Sequence, residues 1–229
     1  MSAVILDTET TGVSDDDKII EFATSEPLKA PRHLAEVGLI SISCVRFNAG
    51  RPISLGAMAT HHIIDEDLLG LQPFKFYDPA ADGVEYIVGH NIDFDWRMLG
   101  WPKVKRICTL ALARSLWPAL DSHSLGALVY HVHTNRSRAR EVLKDAHSAR
   151  ADVEMLVDIV LPAIQIALHP RGVTWAELWE ISEKARIPSV MPFGKHKGVP
   201  MGDVPADYKR WLLNQPDVDP YLAIALRGR

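Results

Sequence analysis

The sequence predicts an α/β domain up to about His169, followed by a small α-rich module over residues 170–229. Three observations point there. Short β-branched or apolar runs (Val4-Ile5-Leu6, Glu85-Tyr86-Ile87-Val88, Arg106-Ile107-Cys108) alternate with helical patterns, as βα units do. Acidic or histidine-bearing groups follow at Asp7 with Glu9, at Asp95, and at His147 with Asp152, and open α/β sheets collect reactive groups where strands end. Beyond His169-Pro170-Arg171-Gly172 the strand candidates stop, and short helices opened by threonine or proline take over.

The elements follow in order. Val4-Ile5-Leu6 reads as a buried central strand. Because side chains alternate along a strand, Asp7 and Glu9 point to one side. Two anions side by side on a buried strand are costly unless a cation lies between them. Ser14-Asp15-Asp16-Asp17 reads as a solvated acidic turn. Two strand candidates follow, Lys18 to Ala23 with Glu21 and Ala35 to Phe47 with Glu36, separated by an irregular stretch, Ser25 to Leu34, that carries Pro27 and Pro31. Asn48-Ala49-Gly50 turns the chain, and Leu55 to Leu69 holds His61 and His62 before an acidic helical stretch.

The strand ending at Val88 runs into Gly89-His90-Asn91-Ile92-Asp93-Phe94-Asp95. Asn91 or Asp93 is the expected cap of a short helix that Gly100 ends. Arg106 to Thr109 enters a helix, Leu110 to Trp117, stopped at Pro118. Ser122 is the expected cap of the next helix, with Leu125, Leu128, Val129 and Val132 at helical spacing. Thr134 to Arg140 reads as a basic loop, and His131 and His133 as a helix end. Pro162 should kink or interrupt the helix that contains Asp152. Thr174 caps the next helix, and two short helices start at Pro205 and Pro220. Gly194-Lys195-His196-Lys197-Gly198 lacks the spacing of a phosphate-binding loop and suits either a basic hairpin or a tight turn. Trp175, Trp179 and Trp211 are expected in the core of the C-terminal module.

Composition excludes several classes. The chain has 229 residues, 47% hydrophobic and 24% charged, enough for one full domain and a small second one. No run of about twenty apolar residues is present, so no membrane span is expected. Asp7 and Glu9 break the first apolar run, which a secretory signal would not allow. Cys44 and Cys108 stand alone, which fits a reducing, cytoplasmic setting and not a structural zinc site. The net charge of −4 decides nothing about nucleic acid, because only the clustering of basic residues bears on it.

The chemistry lies in the acidic set. Five residues turn a helix by about 140°, so His147 and Asp152 share a site only if His147 sits on the turn before the helix; Ser148 or Asp145 would cap that helix. Asp7, Glu9, Asp95 and Asp152 can hold two hard divalent cations. Two such cations about 4 Å apart clamp a phosphodiester, and a histidine beside them can take the proton of an attacking water.

The motifs Asp7-Thr8-Glu9-Thr10-Thr11-Gly12, His90-Asn91-Ile92-Asp93-Phe94-Asp95, and His147 followed by Asp152 resemble those of the DEDDh 3′→5′ exonucleases of the ribonuclease H-like superfamily. The likeness extends toward the exodeoxyribonuclease X branch through Arg51-Pro52-Ile53-Ser54, Ala57-Met58-Ala59 with His61 and Ile63, Ile107-Cys108-Thr109, and Phe193 to Gly198. It implies a mixed sheet flanked by helices over residues 1–169, and a C-terminal module, 170–229, that modulates substrate binding. It implies that Asp7 bridges two divalent ions, magnesium first and manganese as the alternative. Glu9 and Asp152 would hold the ion carrying the water, Asp95 would hold the other, and His147 would be the base. Asp95 matches the ligand position after Phe94, and Asp93 falls on a variable one. Backbone groups near Thr8 and Thr10, with His61 and Asn91, would position the terminal nucleotide. The expected substrate is the 3′ end of DNA, single-stranded or frayed, cut to nucleoside 5′-monophosphates. An exoribonuclease or proofreading subunit is the rival within the family, and a silent nucleic-acid-binding module the rival outside it.

Overall fold

The computed structural model describes residues 1–31 and 39–228, which form two compact units, Met1–Trp179 and Glu180–Arg229. In the first, Ala3–Thr10 (β1) is the centre of a five-stranded sheet with Ile19–Ser25 (β2), Ile42–Arg46 (β3), Tyr86–Gly89 (β4) and Lys105–Cys108 (β5). The order is β3-β2-β1-β4-β5. β1 pairs antiparallel with β2 and parallel with β4, so the sheet is mixed. Val4, Ile5, Leu6, Ile87, Val88 and Ile107 are buried, as expected of central strands covered on both faces.

Both candidates after the first motif are strands: β2 follows directly and β3 pairs outside it. Glu36 and the start of the second candidate lie outside the described residues. In the stretch between them, Leu28 makes a two-bond bridge to Ala3 and accepts the indole N–H of Trp175 at 2.9 Å. The acidic turn is more ordered than its composition suggests. Asp17 is buried, accepting from the Thr11 hydroxyl at 2.7 Å and the Ser14 N–H at 2.8 Å. Those bonds hold its carboxyl below the usual range despite burial.

The helices of this unit are Leu55–His61 (α1), Asp93–Met98 (α2), Thr109–Leu116 (α3), Leu125–Val132 (α4), Arg136–Val142 (α5), Ala149–Met155 (α6) and Leu161–Leu168 (α7). Three local expectations are corrected. Neither Asn91 nor Asp93 caps α2: Ile92 holds that position without a side-chain bond, and Asp93 pairs with Arg106. Ser124, not Ser122, caps α4. The basic stretch after Thr134 is helix α5, because Asn135 accepts from the N–H groups of Ser137 and Arg138. Ahead of Pro162 the α pattern is interrupted, as expected: one π turn, Leu156–Val160, lies between α6 and α7, and widening there accommodates the missing donor and the ring.

The first unit ends within Trp175–Ala185 (α8), beyond the turn at His169. Thr174 and Glu177 form a reciprocal cap there, and Trp175 is buried against Leu28. Lys105 lies 4.1 Å above the Trp179 ring. In the second unit, Ala206–Leu213 (α9) and Pro220–Arg227 (α10) pack on Met191, Met201 and Val204. Trp211 does not join that core and is 55% exposed. Among the described residues no helix is long and apolar enough to cross a membrane, and neither cysteine is in a disulfide.

Candidate active site

The site forms where β1 outruns its parallel neighbour. β4 pairs only with Ala3, Val4 and Ile5, so Asp7 and Glu9 lie past the end of the parallel ladder. On the other edge Glu9 stands opposite Glu21 of β2, and the register slips between Glu9 and Thr10. Such bulges re-aim side chains at sheet rims. Helix α6 packs on β1, β2 and β3 and brings Asp152 down onto the same face.

One carboxylate oxygen each from Asp7, Glu9 and Asp152 lies within 4.8 Å of the others. Asp95, in the first turn of α2, is buried beside them and is the charged neighbour that acts most strongly on Asp7. It is not part of the 4.8 Å triad. Its Oδ1 accepts from both the N–H of Thr8, at 3.0 Å, and the Thr8 hydroxyl, at 2.7 Å. Those bonds fix the carboxyl to β1, and a carboxylate has a second oxygen for a cation.

The electrostatics fit a cation site. Burial, then repulsion from Asp95, Asp152 and Glu9, raises Asp7 well above the ordinary carboxylate range. Burial and then Asp152 push Glu9 to about 8. Burial pushes Asp95 to about 7 against the opposing hydrogen bonds from Thr8, and it raises Asp152 as well. No Lys or Arg side chain ion-pairs with Asp7, Glu9, Asp95 or Asp152 among the described residues. Oxygen-only and acidic, half-buried at Asp7, Glu9 and Asp152 and buried at Asp95, this donor set suits hard divalent cations.

These shifts have a consequence for stability. The four carboxyls ionise near pH 4 in the unfolded chain, whereas Asp95 and Glu9 hold protons to about 7 and 8 when folded. Across that window the native state binds more protons, so stability falls with rising pH. In chelator, the melting temperature should be highest below about pH 4 as far as this cluster contributes, and should drop through pH 8. A divalent cation should remove the drop. Melts in chelator and in magnesium across that range test it; a flat metal-free profile would contradict it.

His147 lies on the turn before α6, in the left-handed region at φ 68°. Its N–H donates to Asp152 Oδ1 at 3.3 Å, and it is exposed. Ser148 caps α6 by accepting from Ala151. The expected placement of His147 and Asp152 is therefore the observed one.

The four expected substrate contacts divide. Asn91 is exposed, with φ 66°, on a groove also lined by His90, Arg114 and Ser122. Thr8 is committed to Asp95, and the Thr10 hydroxyl donates to the Gly12 carbonyl at 2.6 Å. His61 is buried: Nδ1 accepts from Ile63 at 3.0 Å, so Nε2 donates to the Thr10 carbonyl at 3.2 Å. Thr8, Thr10 and His61 thus shape the end of β1 from inside. Gly89 is constrained too, because a Cβ there would meet the Ile92 side chain at 2.7 Å and the Leu6 carbonyl at 3.1 Å. Only glycine lets the second motif lie this close to β1.

Glu21 emerges as a further member. It is buried, its Oε1 pairs with Arg46 at 2.8 Å, and its Oε2 accepts from the N–H of Ala149, the first residue of α6, at 2.9 Å. It thereby ties the helix bearing Asp152 to β2. Glu21→Ala should cost about 1–3 kcal/mol, the scale of an orphaned buried donor. As a positioning residue it should also raise the magnesium concentration for half-maximal activity, about 10–100-fold. Glu21→Gln, which keeps an acceptor, should recover part of both. Loss of stability with unchanged magnesium dependence would leave Glu21 a packing role only.

The exonuclease family model (RNase T) matches residues 4–160, which include every residue of this cluster. Exodeoxyribonuclease 10 of Escherichia coli (strain K12) is 27% identical over 227 residues, covering 97% of this chain and 96% of that one. A PolC-type DNA polymerase III of Streptococcus sanguinis (strain SK36) is 28% identical over 186 residues, 75% of this chain but 12% of the polymerase. A solved structure of exonuclease X in complex with 5′-overhanging duplex DNA superposes with a TM-score of 0.58 at 27% identity, covering 79% of this chain and 99% of that one. With a matched segment that spans both the mixed sheet and the carboxylate cluster, this chain belongs to the exonuclease family.

Proposed function

We propose that the protein hydrolyses DNA from the 3′ end, one nucleotide at a time, releasing nucleoside 5′-monophosphates. The observation that carries this reading is the convergence of Asp7, Glu9 and Asp152 within 4.8 Å, with Asp95 buried alongside. The likeness to exodeoxyribonuclease 10 along 97% of the chain supports DNA as substrate.

Asp7 would be shared between two divalent cations, Glu9 and Asp152 would serve one, and Asp95 the other. When bound, such ions neutralise the phosphodiester and favour ionisation of the attacking water. His147, exposed next to Asp152, takes the proton of that water. Thr8 keeps Asp95 in place, His61 keeps the Thr10 carbonyl in place, and Asn91 faces the terminal nucleotide from its groove. The small C-terminal unit contributes to substrate binding.

Matched DNA strands labelled at the 5′ or the 3′ end test direction. In magnesium, the 5′-labelled strand should shorten as a ladder while the 3′ label leaves at once as mononucleotide, and chelator should stop both. Immediate mononucleotide release from the 5′ label would reverse the assigned polarity. Faster loss of a matched RNA strand would favour the exoribonuclease reading. The proofreading reading has narrower support, since the matching polymerase shares 12% of its length with this chain.

A further inference from the structure

We propose that the face formed by the turn Gly194–Gly198 and helix α9 is a stacking platform for single-stranded nucleic acid. The proposal deepens the nuclease reading and rests on it for the identity of the polymer. It concerns the C-terminal unit by itself and needs no metal.

Three rings meet on this face, His196 and Tyr208 half-buried and in T-shaped contact, and Trp211 exposed and tilted against Tyr208. The His196 and Tyr208 centroids are 4.6 Å apart, and those of Tyr208 and Trp211 are 5.4 Å apart with a 36° tilt. Trp211 is 55% exposed and neighbouring Phe193 49%, although the unit has a core of Met191, Met201, Val204 and Leu212 that could have taken them. The geometry is built in. Gly194 has φ +70°, and a Cβ there would lie 2.7 Å from the Tyr208 hydroxyl. Glycine thus meets both the backbone requirement and the close seat of the turn on Tyr208.

Cations interleave with the rings. Lys195 and Lys197 flank His196, and Lys209 and Arg210 separate Tyr208 from Trp211. None of the four forms an ion pair with an acid among the described residues. Residues 180–229 carry eight Lys or Arg against six Asp or Glu, whereas the whole chain carries 25 against 29. Exposed aromatic faces among unpaired cations are how proteins grip single strands: bases stack while the cations follow phosphates. A protein partner fits less well, because the cores of such interfaces are depleted in lysine.

Anisotropy of a 5′-labelled twenty-residue oligothymidylate, measured with the full chain in chelator, tests the platform. Trp211→Ala should weaken binding about 5- to 150-fold, the span for losing one stacked base, and Trp211→Phe should recover most of it. An abasic strand of equal length and charge should bind parent and Trp211→Ala alike. Replacing Lys195 and Lys197 by glutamine should lower the salt slope of log affinity by about 0.7 per lysine. Equal oligothymidylate binding by parent and Trp211→Ala overturns the proposal, as does an equal loss on the abasic strand. Hydrolysis of thymidine 5′-(p-nitrophenyl phosphate) in magnesium reports the catalytic cluster separately and should be the same in parent and Trp211→Ala. Failure of the parent on that ester would count against the nuclease reading, while the binding data would still decide the platform.

Discussion

Asp7→Asn should leave the fold intact and lower nuclease activity by at least about 10³-fold, because on the proposed reading the residue that would be shared by two cations loses its charge. Several kcal/mol of transition-state charge stabilisation depend on those ions, and each 1.4 kcal/mol is tenfold in rate. The same change should stabilise the metal-free protein at pH 8. It removes one ionisable carboxyl from a set in which Asp95, Asp152, Glu9 and Glu21 all push the Asp7 carboxyl up. Loss of activity with a higher metal-free melting temperature is a signature that simple misfolding does not give. Asp95→Asn should be nearly as damaging to turnover. Parental turnover by either variant would refute the assignment.

The second large effect is expected at His147. Removing a general base costs about 10²–10⁴-fold, and free imidazole should restore part of the lost rate in His147→Ala. Because His147 adopts φ 68°, alanine there also carries backbone strain. Asparagine tolerates that region better, so His147→Asn separates the two contributions: it should fold like the parent and remain inactive. A loss below tenfold in both variants would point to a different base.

The residues around Asp7 show what one sequence reveals. Asp7 and Glu9 are legible because strand alternation puts them on one side. His147 and Asp152 are legible because their spacing forbids a shared helix face. Glu21 was visible as a strand residue, but its task was not. Its position opposite Glu9 depends on a turn held by Asp17 and on a bulge after Glu9, and its bond to Ala149 spans 128 residues. The same limit applies to His61, whose burial against the Thr10 carbonyl is a tertiary contact. Beyond Gly172, the three tryptophans Trp175, Trp179 and Trp211 look alike in sequence. Only the fold separates Trp175, buried on Leu28, from Trp211, left facing solvent. Local capping was partly ambiguous for a simpler reason. Ser122 and Ser124 are both competent caps two residues apart, and the contacts of Leu125, Leu128 and Val129 with the core select Ser124.

Anomalous diffraction from crystals of the 229-residue chain soaked in manganese addresses the gathered carboxylates most directly. Two peaks are expected, both touching Asp7, one also touching Glu9 and Asp152, and the other touching Asp95. Density elsewhere, or none at the cluster while manganese supports cleavage in solution, would contradict the account.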